Sequence, residues 1–355
     1  MVQRTGAGIR LARPDVGAEE LAEVAQVLES GQLTMGPKVA ELEELLAAAC
    51  GVEHAVAVSS GTAALHLAVL ALGLGEGDEV LVPAYTFPAT ANVIALSGAK
   101  PVLVDVDAAT FNISPYQAHE RVSKRTRAIL AVHLFGRPAP LEELPELPLI
   151  EDAAGALGAR RRGRPCGGLG LAGCLSFHPR KIVTTGEGGA VTTNDARIAD
   201  AAREMRHHGW RGADMPRPGL NYRLSDVLCA LGIPQLRRLH ELLAARARVA
   251  VAYAERLEDI VELPSADEGD VHGWQAYVVR LDRRDEALQA LRAHGIEAQI
   301  GTYALHRLGA YRDQGSFPGA DACFQRALAL PFHSGLTASD LDRVADVLLR
   351  VVSER

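Results

Sequence analysis

Between Val16 and Thr193 the chain alternates segments whose apolar residues recur at helical spacing with short apolar runs rich in β-branched residues. The runs Ala55–Val58, Glu79–Val82, Lys100–Val104, Thr126–Val132, Pro148–Ile150, Gly173–Phe177 and Gly189–Thr193 read as strands. Pro37–Ala48, Ala63–Leu72, Ala89–Ser97 and Tyr116–Val122 read as helices. Strands separated by helices predict an α/β fold, a mostly parallel sheet flanked by helices. Further on, Ser225 to about Leu257 forms one long helical stretch, Arg-rich on one face and Leu/Ala-rich on the other. A strand at Gln275–Leu281 and helices at Arg284–His294 and near Ala338–Val352 follow. The pattern predicts a large domain over residues 1–235 and a smaller C-terminal α+β domain over residues 236–355, with the long helix at their boundary.

Charge narrows the functions. The 355 residues carry a formal charge of −7, whereas a binder of phosphate backbones needs a clustered basic excess, so no nucleic-acid partner is expected. The opening stretch MVQRTGAGIRLARPD lacks the apolar region of a signal peptide, and no window approaches the roughly 20 apolar residues that span a bilayer. A cytoplasmic protein with no membrane partner is expected. Five scattered cysteines, Cys50, Cys166, Cys174, Cys229 and Cys323, show no CxxC spacing, so neither a disulfide framework nor a metal site is predicted. Lysine is scarce: only Lys38, Lys100, Lys124 and Lys181 occur. That matters because chemistry that links a carbonyl to an amine needs lysine, and arginine cannot replace it.

Three segments carry candidate chemistry. In AVAVSSGTAALHLAVLAL, residues 55–72, a strand runs through Ser59-Ser60-Gly61-Thr62 directly into a helix. Free N–H groups of a first helical turn and the helix dipole make such a junction an anion site, although a Ser/Thr cap without a ligand also fits it. In PLIEDAA, residues 148–154, Glu151 and Asp152 stand just past an apolar strand, where α/β proteins bind ligands; surface carboxylates or a helix cap read equally well. In LSFHPRKIVTTGEGG, residues 175–189, Lys181 occupies a polar loop between two strands, as an attachment lysine or as a phosphate contact.

Taken in order, phosphate cradle, strand-end Asp and lysine resemble the nucleotide-sugar aminotransferases of the DegT/DnrJ/StrS type, which are fold type I pyridoxal 5'-phosphate (PLP) enzymes. The likeness runs through GQLTMGPKVAELE, SSGTAALHLA, VPAYTFPATANVI, KPVLVDVDAATFNI, IEDAAGALGA, SFHPRKIVTTGEGG, GLNYRLSDVLCALG and LALPFHSGL. It implies a seven-stranded PLP-binding domain in which Lys181 carries the cofactor and later moves the proton, and Asp152 partners the pyridinium nitrogen. It further implies phosphate contacts from Gly61, Thr62 and Ser176, and Phe87 stacked on the ring, where a core-filling Phe is the bland alternative. Asn221 is implied to reach the phosphate of a neighbouring subunit in a homodimer with shared active sites, and His306 to lie near the nucleotide-sugar pocket. One position departs from the pattern: many relatives carry Gln or another side chain three residues after the ring-binding Asp, beside the cofactor's phenolic oxygen, and here that residue is Gly155.

The resemblance implies transfer of an amino group, with L-glutamate as donor, to a nucleotide-linked keto-sugar. The HPRK and TTGEGG wording is most similar to enzymes that aminate C4 of NDP-4-keto-6-deoxyhexoses, perosamine synthases among them; amination at C3 stays open. A PLP-dependent sugar dehydratase shares the fold but replaces the lysine by histidine, and a non-enzymatic regulator needs neither Lys181 nor Asp152.

Overall fold

Apolar residues crowd both faces of the predicted strands because both faces are covered: every residue of Glu79–Pro83 and of Gly189–Thr193 is buried. The computed structural model describes residues 8–312 and 314–353. Residues 1–7, the start of the expected large domain and of the segment read for targeting signals, lie outside the described residues. The main sheet contains β1 (His54–Val58), β2 (Glu79–Pro83), β3 (Lys100–Val104), β4 (Thr126–Val132), β5 (Leu149–Asp152), β6 (Ala172–Ser176) and β7 (Gly189–Thr193). Their order is β1-β7-β6-β5-β4-β2-β3. β7 runs against both its neighbours, and the other pairs are parallel. The seven strands are those the sequence predicts: three have the predicted bounds, and the ends of the other four shift by one or two residues.

Alternation along the strands splits the core in two. Val56 and Val58 face one layer with Leu65, Leu67, Val82 and Leu103, while Ala55 and Ala57 face the other with Leu42, Leu46, Leu175 and Ile233. The helices are α1 (Ala18–Ser30), α2 (Pro37–Cys50), α3 (Gly61–Ala71), α4 (Ala89–Leu96), α5 (Pro115–Arg121), α6 (Ala196–Met205), α7 (Asp226–Arg237), α8 (Leu239–Leu257), α9 (Arg284–Ala293), α10 (Pro318–Arg326) and α11 (Ala338–Ser353). α1, α6 and α10 are not among the predicted elements. All five cysteines are buried and unpaired, and among the described residues no helix is long and apolar enough to cross a membrane.

The long stretch from Ser225 to Leu257 is two helices rather than one. Arg238 leaves helical geometry at φ −106° and ψ 23°, and its guanidinium pairs with Asp15 and Glu20 of the N-terminal segment. Pro234, which lacks an N–H, weakens the preceding turn. Beyond the break, β8 (Tyr277–Arg280), β9 (Gln299–Ile300) and β10 (Ala327–Leu330) form an antiparallel sheet in the order β8-β10-β9. Its own core gathers Tyr253, Tyr277, Leu291 and Leu348, together with Ile9, which bridges to Ile296. We propose that the division between large and small domains falls at Arg238.

Near the end of β5, Glu151 and Asp152 point to opposite faces. Glu151 is fully buried, and its carboxylate accepts the N–H groups of Gly167, Leu169 and Gly170 at 2.7 Å and Nε2–H of His133 at 2.8 Å. His133 is fixed in that tautomer because its Nδ1 accepts the N–H of Ala139 at 2.9 Å. Burial opposes ionisation of Glu151, but His133 and these N–H groups outweigh it and hold the carboxyl below its ordinary range. A depressed carboxyl contributes stability that is present above the unfolded-state pKa and is lost as pH falls through the folded one. Glu151→Ala should therefore lower stability by about 3–5 kcal/mol and flatten its acid dependence. Urea denaturation between neutral and acidic pH tests this, and a variant as stable as the wild type would refute the anchoring role.

Candidate active site

The carboxyl ends of β1, β6 and β5 converge where the Lys181 loop crosses them. At the end of β1 the chain turns at Ser60, whose hydroxyl accepts the Ala63 N–H at 3.0 Å and starts α3. The N–H groups of Gly61 and Thr62, in the first turn, have no acceptor within the helix. Gly61 is needed for close approach: a Cβ there would come 2.8 Å from Cβ of Ser176 at the end of β6. The Ser176 hydroxyl forms no hydrogen bond among the described residues. Two free amides at a helix N-terminus beside a free hydroxyl form a cradle suited to a phosphate.

Asp152 is buried beside that cradle. Its Oδ2 accepts the Thr90 hydroxyl at 2.8 Å, and its Oδ1 accepts the Ala154 N–H at 3.2 Å. Burial pushes this carboxyl above its ordinary value, against the pull of Thr90, the Ala154 N–H, Lys181 and His133. For Lys181 burial is again the largest influence: it lowers the ammonium pKa, Asp152 opposes the change, and Arg180 and Arg246 reinforce it. The loop is held in place by Gln235 of α7, whose amide accepts the Thr184 N–H at 2.9 Å and donates to the Thr184 carbonyl at 2.8 Å. A carboxylate short of positive charge, a lysine of lowered pKa and a phosphate cradle fit the nitrogen, aldehyde and phosphate of PLP.

The other expected residues surround this centre. Phe87 is 60% exposed; its carbonyl lies 3.1 Å from the Thr90 hydroxyl, and its ring meets Tyr303 edge-on at 6.3 Å. Tyr303-Ala304 pairs with Tyr85-Thr86, which brings the C-terminal part of the chain to the site. His306, three residues on, donates from Nε2 to the Asp321 carboxylate at 3.0 Å, and its buried Nδ1 has no partner among the described residues; no contact among them joins it to Asp152 or Lys181. Asn221 is exposed, and the adjoining Tyr222 and Arg223 pair with Ser59 and Val58, so Asn221 lies along the edge of the sheet near the cradle.

Thr90 and Arg246 escape the sequence reading. Thr90 stands in YTFPAT, and nothing local marks it as the partner of a carboxylate 62 residues away. Arg246 carries a signal: it shares the buried stripe of α8 with Leu242, Val249, Ala250 and Tyr253, an arginine where the spacing calls for an apolar residue.

Lysine reactivity tests these electrostatics. Lys38, paired with Glu23 and Glu41, has a raised pKa, and Lys181 a lowered one. In protein stripped of cofactor, an amine-reactive acylating reagent should modify Lys181 at a lower pH than Lys38, because only the neutral amine reacts. Peptide mapping across a pH series reads this out, and the reverse order would refute the assigned shifts.

The model of the DegT/DnrJ/EryC1/StrS aminotransferase family matches residues 14–349. DesV of S. venezuelae, solved in complex with a ketimine intermediate, is 34% identical, covers 95% of this chain and 95% of its own, and superposes with a TM-score of 0.91. DesI, solved in the presence of its TDP-sugar product, is 33% identical over 99% of this chain and 94% of its own, with a TM-score of 0.93. Spr1654 of Streptococcus pneumoniae, assigned as a sugar aminotransferase and solved in its PLP form, is 28% identical over 98% of this chain and 99% of its own, with a TM-score of 0.93. Both the sequence match and the fold extend over nearly the whole length, and the chain is an aminotransferase belonging to the DegT/DnrJ/EryC1/StrS family.

Proposed function

We propose that this aminotransferase uses PLP to transfer an amino group from L-glutamate to a nucleotide-linked keto-sugar, at C4 of an NDP-4-keto-6-deoxyhexose. The observation that carries the reading is the buried Asp152 at the end of β5, within electrostatic reach of Lys181, with the Gly61–Ser176 cradle at the end of the neighbouring β6. The TDP-sugar product of DesI supports a nucleotide-linked substrate. PLP, when bound, supplies an aldehyde that accepts amines and a ring that withdraws electrons. The N–H groups of Gly61 and Thr62 and the Ser176 hydroxyl hold the phosphate; Phe87 covers one ring face; Asp152, in its charged form, keeps the ring nitrogen protonated. Lys181 Nζ is the point of attachment and, once released, the base that carries the proton, a role suited to its lowered pKa. His306, whose Nδ1 has no partner among the described residues and which lies beyond Tyr303, contacts the sugar nucleotide. The enzyme works in the cytoplasm.

Incubation with L-glutamate and a panel of GDP-, dTDP- and UDP-keto-sugars, with products identified by mass and NMR, tests the substrate. Borohydride reduction should link the cofactor to Lys181 and to none of the other three lysines. A 4-amino-6-deoxy product is expected; amination confined to C3, or label on another lysine, would overturn the corresponding part.

The working unit is a homodimer in which Asn221 reaches the phosphate of the partner's site. In support, Asn221 is exposed, and Trp210, Met215 and Leu220 of the same loop leave apolar surface uncovered. Mixing Lys181→Ala with Asn221→Asp subunits should restore activity from two nearly inactive parents, since one site of the hybrid carries neither lesion. Verified exchange without activity, or an active monomer in sedimentation, would sink the shared site.

A further inference from the structure

Gln275 is clamped at its backbone, and its side chain has no hydrogen-bond partner among the described residues. Its N–H donates to the carbonyl of Phe135 at 3.2 Å, and the buried guanidinium of Arg246 donates to the carbonyls of Trp274 and Gln275 at 3.0 Å. Phe135 (φ 58°) and Trp274 (φ 47°) both adopt left-handed backbone that bulky residues avoid, a conformation that persists only where surrounding contacts enforce it. The side chain lies against Gly155: a Cβ there would come 3.3 Å from Oε1 and 3.4 Å from Cβ and Cγ of Gln275. Gly155 follows Asp152 by three residues, and Arg246 also donates to the carbonyl of Lys181 at 3.4 Å. One arginine thus ties the lysine loop to the segment bearing Gln275. The amide itself has no hydrogen-bond partner among the described residues.

The order of strands says which part of the cofactor this amide meets. The cradle of Gly61 and Ser176 lies on the β1 and β6 side of β5, whereas Phe135, which holds Gln275, follows β4 on the other side. In PLP the ring nitrogen and the aldehyde stand para to each other, and the aldehyde is flanked by the phosphate arm on one side and the phenolic oxygen on the other. With the nitrogen at Asp152, the aldehyde at Lys181 and the phosphate toward Gly61, the phenolic oxygen faces the β4 side. We infer, on the reading of the site proposed above, that Gln275 is a further cofactor-contacting residue, its amide N–H donating to the phenolic oxygen through the space that Gly155 leaves open.

Such a donor competes with the proton shared between that oxygen and the Lys181 nitrogen, and so lowers the pH at which the proton is lost. In the holoenzyme, titration of the near-visible absorbance should show a midpoint raised by about half a unit or more in Gln275→Ala. Gln275→Met, which keeps the volume without the donor, should behave alike and guards against a folding defect. Gly155→Gln combined with Gln275→Ala returns an amide to the same space and should bring the midpoint back toward wild type. An unchanged midpoint in both single variants, or a double variant that stays with Gln275→Ala, overturns the inference. Wild-type protein lacking near-visible absorbance would instead overturn the cofactor reading on which it rests.

Discussion

Burying a carboxylate at the end of a central strand costs several kcal/mol unless opposite charge and hydrogen bonds are brought to it, and Asp152 imposes that constraint on everything around it. Thr90 and the Ala154 N–H supply two hydrogen bonds, and Lys181 supplies charge from across the site. These partners leave the carboxyl above its ordinary pKa. On the proposed reading, a cationic ring nitrogen would complete what the protein leaves unfinished, and affinity for the cofactor and the tuning of its ring would come from one interaction. Glu151, the preceding residue, shows the alternative: with four donors of its own it is satisfied, and it is structural.

Lys181 is governed by the same burial acting on the opposite charge. Desolvation and two arginines favour its neutral amine, and Asp152 alone pulls the other way. The loop can hold this balance because Gln235 and Arg246, on two different helices, grip its backbone carbonyl and N–H groups. A lysine on a mobile surface loop would keep its water and its ordinary pKa.

The C-terminal part of the chain closes the site as well as packing its own core. Tyr303-Ala304 extends the strand before Phe87, Arg246 bridges from α8, and the strained Trp274 carries Gln275 against Gly155. Arg246 and Gln275 join this part of the chain to the Lys181 carbonyl and to Gly155, so any movement of their segments acts directly on the lysine loop.

The alternation of strands and helices was legible along the chain because it follows from local burial, which the side chains of each segment report by themselves. Lys181 was legible from scarcity, and the cradle from a strand that runs through Ser60 and Gly61 into a helix. The break at Arg238 was not, since it depends on Asp15 and Glu20 more than two hundred residues earlier. Nor could periodicity tell Glu151 from Asp152: it placed them on opposite faces without saying which face held His133 and which held Thr90. Thr90, Arg246 and Gln275 entered the site only through partners far away in sequence, because a segment's pattern fixes which face it buries, whereas the groups it meets on that face are chosen by the packing of the whole chain.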